Sequence, residues 1–466
     1  MEIKPTPAKH LIPVDEILSQ ARAKAETELP ISLVVVGHVD AGKSTLMGRM
    51  LLEFGHISER VHQNHERASQ RIGKGSFSYA WALDSSEAER ERCVLTDQRH
   101  YHRRCARHIP HPKAYIHLLD APGHRDFVPN MISGASQADA AVLVVDASPG
   151  EFESGFSPRG QTREHVMLLR ALGVQQLIVA VNKMDMVDYS QARFDEIVNT
   201  LKAFLANTGF AEKNVNYLPC AAGAGENLLS RKVEALYWYR GDTLCEALDD
   251  LAPPERQYTG ALRIPVTNVF KGTTMSVSSG LGVSGRIVSG VVQAGESVLP
   301  MPGDTPGVIK AIECEGDVVP WAVAGASVTL YLAGLETNQV SVGDVLCSPS
   351  APITLCTSVQ VQLLVFQPTY PLVTGTAVEA FSHSADIPAQ LSELVALLDK
   401  SSGEEIRKRP RVLPHNSTAV ARVTLGTGAR KGYPIEPYRA NKEMSRLLFR
   451  MNGETVAAGI ATDVFP

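Results

Sequence analysis

A chain of 466 residues exceeds one ordinary domain, and its length predicts about three, each able to bury its own core. With 45 Lys and Arg against 50 Asp and Glu, the formal charge of -5 excludes a chain-wide nucleic-acid footprint, so any RNA contact must be local. Hydrophobic residues at 44% and charged residues at 20% exclude a disordered polymer. No apolar run approaches the ~20 residues of a membrane span, so no membrane association is expected.

The N-terminus, MEIKPTPAKH, carries no apolar signal region, which predicts a cytoplasmic protein. The seven cysteines, Cys93, Cys105, Cys220, Cys245, Cys314, Cys347 and Cys356, are scattered and contain no CxxC pair. They read as reduced, small core residues rather than a disulfide framework or a zinc cage.

In chain order, residues 1–28 form a lead-in segment with a short amphipathic helix around Ile17, Leu18 and Ala21. Residues 29–252 then alternate strand and helix: ISLVVVG, KSTLMGRMLLEF, AYIHLLD, AAVLVVDAS, REHVMLLRALG, LIVAVNK and RFDEIVNTLKAFLANTG. Apolar runs such as Ala140 to Val145 and Leu177 to Val181 read as buried strands. The alternation predicts an α/β domain with a doubly wound, mostly parallel sheet. LAPPERQ, residues 251–257, breaks the pattern, after which short Val-rich strands and glycine turns predict an antiparallel β-barrel over 253–350. A second break at SPSAPIT, residues 348–354, opens another β-rich stretch, a second barrel over 351–466.

Three motifs fall on three predicted strand ends. Gly37-His38-Val39-Asp40-Ala41-Gly42-Lys43-Ser44 matches GxxxxGK[ST] between a strand and a helix, with Thr45 next in that helix. Its glycines let backbone N–H groups close on phosphate oxygens, the helix N-terminus adds partial positive charge, Lys43 reaches the β- and γ-phosphates and Ser44 ligates Mg2+. Asp120-Ala121-Pro122-Gly123 follows the next strand: Asp120 is placed to hold Mg2+ through water and Gly123 to face the γ-phosphate. Asn182-Lys183-Met184-Asp185 closes a later strand, and the Asp185 carboxylate can accept from both the N1–H and the exocyclic amine of guanine. Adenine leaves that carboxylate unpaired, so the expected ligands are GTP and GDP with Mg2+.

The Asp120 motif continues as His124-Arg125-Asp126-Phe127. Together with GHVDAGKSTLMG, SFSYAWALD, AERER, GEFESGF, GQTREH and GENL, it makes the chain resemble translational GTPases from about Ser32 to the C-terminus. The resemblance is to the branch of elongation factor 1 alpha, class-II release factors and Hbs. Leu46-Met47-Gly48, Gly225-Glu226-Asn227-Leu228, Pro320-Trp321-Ala322-Val323-Ala324-Gly325 and Thr455-Val456-Ala457-Ala458-Gly459 look more like Hbs-type ribosome-rescue GTPases than like their siblings. Trp81-Ala82-Leu83-Asp84 and Arg409-Pro410-Arg411 would also suit a release-factor GTPase.

The resemblance implies a monomer whose two barrels carry a Pelota-like or release-factor-like protein to the ribosome, with ribosomal RNA acting at the GTPase centre. His124 would orient the attacking water and Val39 would screen it, with Lys43 completing the catalytic pair. In the guanine loop Cys220-Ala221-Ala222-Gly223 stands where the family has a serine, a position that works largely through backbone amides. In switch I, Arg92-Cys93-Val94-Leu95-Thr96 replaces the family's RGIT or RGVT run, so Leu95 takes the place of a magnesium-ligating threonine. Either Thr96 slips by one residue to ligate the ion, or water completes the shell. Arg103, Arg104 and Arg107 with His100, His102, His108 and His111 form an acid-free cation cluster that reads as a solvated hairpin or an RNA contact. Two other readings stand beside the rescue factor: a GTPase delivering a termination factor or aminoacyl-tRNA, and a nucleotide-locked adaptor that Leu95 favours.

Overall fold

The computed structural model describes residues 11–53, 113–120, 128–157 and 160–466, apart from 275, 276, 315, 367, 401 and 427–429. Leu95, Thr96, Gly123, His124 and the cation cluster therefore lie outside the described residues, as do Cys93 and Cys105.

Near-continuous apolar runs make the central sheet. Strands β1 (Glu28–Gly37), β2 (Lys113–Asp120), β3 (Ala140–Asp146), β4 (Gln176–Asn182) and β5 (Val215–Pro219) are all parallel, in the order β2-β1-β3-β4-β5. Every residue of β3 is buried, as a strand covered on both faces requires. Helices α1 (Val14–Thr27), α2 (Lys43–Glu53), α3 (Val128–Ala135), α4 (Glu151–Phe156), α5 (Gln161–Leu172), α6 (Gln191–Thr208) and α7 (Leu244–Asp249) surround or precede it. Their ends follow local chemistry. Ser190 caps α6 by accepting from the Arg193 amide at 3.4 Å, and Gly209, at φ 98°, ends the same helix in a left-handed turn.

Register brings the strand ends level. Val35 faces Asp120, Gly37 faces Val144, Asp146 faces Asn182 and Val181 faces Pro219. The carboxyl edge of the sheet, where doubly wound folds bind ligands, thus collects Gly37, Asp120 and Asn182.

The β-rich remainder closes into two rings. In the first, strands Arg263–Thr274, Val277–Arg286, Ser327–Ala333, Gly307–Cys314, Ser297–Met301 and Val345–Cys347 pair in succession, and Val345–Cys347 returns to Arg263–Thr274. The second runs Ala377–Ser382, Arg446–Met451, Glu454–Phe465, Ser358–Val365, Thr418–Leu425 and Ala385–Leu398, closing on Ala377–Ser382. Ser358–Val365 alternates half-buried and buried positions strictly, the period of a barrel wall.

The chain divides into two compact units, Glu26–Pro254 and Glu255–Pro466 with the segment up to Ala25. Within the second unit the barrels are joined by a shared small core: Val288, Val345 and Cys347 pack with Ile353 and Met444. Beside it the Arg263 guanidinium donates to Glu436 at 2.7 and 2.9 Å and to the Leu262 and Ala351 carbonyls at 2.9 Å. Among the described residues no helix is long and apolar enough to cross a membrane. Cys220, Cys245, Cys347 and Cys356 are buried, whereas Cys314 is only half-buried.

Candidate nucleotide site

The loop between β1 and α2 needs its glycines. Gly42 has φ 93°, and a Cβ there would strike the Asn182 carboxamide; one on Gly37 would strike the Val144 carbonyl. Asp40 adopts φ 60°, a left-handed conformation that aspartate tolerates better than bulky residues. The buried Lys43 curls back over the loop, its ammonium donating to the carbonyls of Gly37 at 2.9 Å and His38 at 2.7 Å. Ser44 and Thr45 occupy the first turn of α2, half-buried, and the Leu46 amide begins the helix by donating to the Gly42 carbonyl at 2.9 Å. Val39 stays 37% exposed at the loop's surface, its amide donating to Gln161 Oε1 at 3.3 Å.

Asn182 ties two motifs together. Its Nδ2 donates to the Ala41 carbonyl at 2.9 Å, while its Oδ1 accepts from the Ala222 amide at 2.9 Å and from the Cys220 thiol at 3.7 Å. Ala221 makes a two-way backbone bridge with Glu226, at 3.1 and 3.3 Å, and Gly223 is exposed beside it. The Ala221 and Ala222 amides thus already have partners within the chain. Lys183, at φ 59°, sets its ammonium 2.6 Å from Asp146, whose other oxygen accepts from the Ser148 amide at 2.8 Å.

Asp185 is exposed in the short turn Met184–Val187. Burial pushes the Cys220 thiol and the Tyr189 phenol upward, and the Asp185 charge adds to both shifts. Asp120 ends β2 on the same sheet edge. The structure therefore gathers the phosphate loop, Asp120, the Asn182-to-Asp185 turn and Ala221 to Gly223 at one edge.

Sequence motifs did not point to Gln161, Asp146 or His165 as parts of this site. The run GQTREH contains two of them, but nothing local says that α5 runs behind the phosphate loop. His165 is buried, its Nδ1 without a partner, and burial followed by the charges of Lys43 and His38 pushes its pKa down to about 3. The folded protein keeps it neutral, so the unfolded chain takes up the proton first. Stability present above pH 6.5 is then lost as pH falls from 6.5 toward 3, by about 3 kcal/mol at pH 4. His165→Leu should flatten that slope in urea melts at pH 4 to 7; an unchanged slope would assign the loss to other groups.

A parallel sheet with a glycine-rich strand-to-helix loop, a buried lysine and a carboxylate-bearing turn at one edge defines a P-loop nucleotide-binding protein. The Elongation factor Tu GTP binding domain matches residues 29–254, Elongation factor Tu domain 2 matches 280–347, and the GTP-eEF1A C-terminal domain-like family matches 358–462. Elongation factor 1-alpha of Ignicoccus hospitalis is 38% identical over 441 residues, covering 94% of this chain and 96% of that protein. Protein HBS1 of Drosophila melanogaster is 41% identical over 445 residues and 95% of this chain, which spans 64% of HBS1's length. The GTP-bound GTPase-like domain of S. cerevisiae Ski7 shares the fold, with a TM-score of 0.76 at 16% identity, covering 97% of this chain and all of that one. The chain belongs to the translational GTPases of the elongation factor 1 alpha and Hbs branch, and its residues 29–254 form a GTP-binding domain.

Proposed function

We propose that the chain is an Hbs-like ribosome-rescue GTPase of the cytoplasm. It delivers a Pelota-like decoding-factor mimic to stalled ribosomes in mRNA quality control, and GTP hydrolysis permits release. The observation that carries this reading is the 41% identity to HBS1 across 95% of the chain, barrels included.

The site fits a nucleotide with a divalent ion. Its ammonium sits over backbone carbonyls in a loop where a Cβ at Gly37 or Gly42 would clash. Ser44, and Asp120 through water, would supply the hard oxygen donors that Mg2+ prefers, with Thr96 or a further water completing the shell. Bound Mg2+ would neutralise charge developing on the β- and γ-phosphate oxygens. Lys43 binds the same phosphates, Asp185 selects guanine, and Val39 shields the γ-phosphate from water until His124 is positioned by ribosomal RNA.

Protein loaded with a non-hydrolysable GTP analogue should capture a Pelota homologue in affinity pull-down; capture of a stop-codon release factor instead would favour the termination reading. His124→Ala should leave GDP affinity within about threefold while lowering ribosome-stimulated single-turnover hydrolysis by roughly 10²-fold or more, as for a group acting only in the transition state. Unchanged hydrolysis would remove His124 from that role. Absence of ribosome-stimulated turnover in the wild type would move the reading to a nucleotide-locked adaptor, which Leu95 favours.

A further inference from the structure

The turn that carries Asp185 has a costly backbone shape. Lys183, Asp188 and Tyr189 have φ of 59°, 50° and 52°, a region that glycine enters freely and side-chain-bearing residues do not. Two of these residues are consecutive, and one is a bulky tyrosine. Within the turn the Met186 amide donates to the Lys183 carbonyl at 3.0 Å and the Tyr189 amide to the Met184 carbonyl at 2.8 Å. Such a conformation persists only where its surroundings hold it.

One hold comes from far along the chain. The indole N–H of Trp238 donates to the Tyr189 carbonyl at 2.8 Å. The indole is itself anchored: its ring lies 5.4 Å from Phe194 of α6 and 6.0 Å from Tyr239. The Tyr239 hydroxyl in turn donates to the Tyr217 carbonyl on β5 at 2.9 Å. The base-reading turn is thus bonded to an aromatic cluster built on a helix and a strand of the domain.

We propose that Trp238 is a positioning residue for guanine selection, acting through the Tyr189 carbonyl to hold the left-handed turn that presents Asp185. The proposal rests on reading Asp185 as the guanine-selecting carboxylate. Ring packing alone would stabilise the domain without favouring one base over another. A bond that orients Asp185 affects guanine more than hypoxanthine, which lacks the exocyclic amine.

Trp238→Phe keeps an aromatic ring against Phe194 and removes the donor. Equilibrium affinities for GDP and IDP, measured with thermal melting, should show GDP weakened by about tenfold and IDP by about threefold or less. Adding Asp188→Gly should restore much of the GDP-to-IDP ratio, because glycine reaches the left-handed region unaided. A ratio unchanged in Trp238→Phe, or equal losses for both nucleotides, would overturn the proposal, as would a destabilised variant whose ratio Asp188→Gly leaves unimproved. Asp185→Asn with xanthine nucleotides tests the underlying reading separately. If that switch succeeds while Trp238→Phe keeps its ratio, only the role of Trp238 falls.

Discussion

Asp185→Asn is expected to convert a guanine-binding protein into one that prefers xanthine, changing the XDP-to-GDP affinity ratio by roughly 10³-fold or more. A carboxylate offers two acceptors, matching the N1–H and exocyclic amine of guanine. An amide offers one acceptor and one donor, matching the N1–H and the C2 carbonyl of xanthine. Because Asp185 is exposed, the substitution should leave the melting temperature nearly unchanged. Competition of GDP and XDP against a fluorescent nucleotide measures the ratio. Retained preference for GDP would remove Asp185 from base selection.

Arg263→Met should cost about 3 kcal/mol in the β-barrel unit, a large loss for one substitution. The guanidinium has a side-chain exposure of 7% and its partner Glu436 17%. Truncation strands that carboxylate and leaves the Leu262 and Ala351 carbonyls without their donor. Replacing both partners, Arg263→Met with Glu436→Leu, should recover the part of the loss that comes from the stranded carboxylate, leaving the cost of the two carbonyls. Urea unfolding of wild type, both single variants and the double variant gives the coupling. A single variant within about 0.5 kcal/mol of wild type would show that water already screens the pair.

Much of the fold was legible in the sequence because it is written locally. The runs AAVLVVD and LIVAVN are strands because nothing polar interrupts them, and they are buried as such runs require. Helix α6 is written in the apolar spacing of RFDEIVNTLKAFLANTG, and the structure ends it at Ser190 and Gly209. The three nucleotide motifs are equally local, each spanning a few residues at a strand end.

The bonds that assemble the site are different in kind. Gln161 reaches Val39 across 122 positions and Trp238 reaches Tyr189 across 49, while Arg263 finds Glu436 across 173. No periodicity encodes such a pairing, since it exists only once the elements are packed. The positive φ at Asp188 and Tyr189 was hidden for a related reason. Neither residue type signals a left-handed turn as strongly as glycine does, so the turn depends on neighbours rather than on its own composition.

The core shared between the barrels bears on how the protein is made. Val288, Val345 and Cys347 find part of their cover in Ile353 and Met444, and Arg263 finds its counter-charge in Glu436. During synthesis from the N-terminus, the first barrel emerges well before Glu436 and Met444 exist. It must wait with an open apolar patch and an unpaired guanidinium until Glu436 and Met444 have left the ribosome, a window in which chaperone binding competes with aggregation.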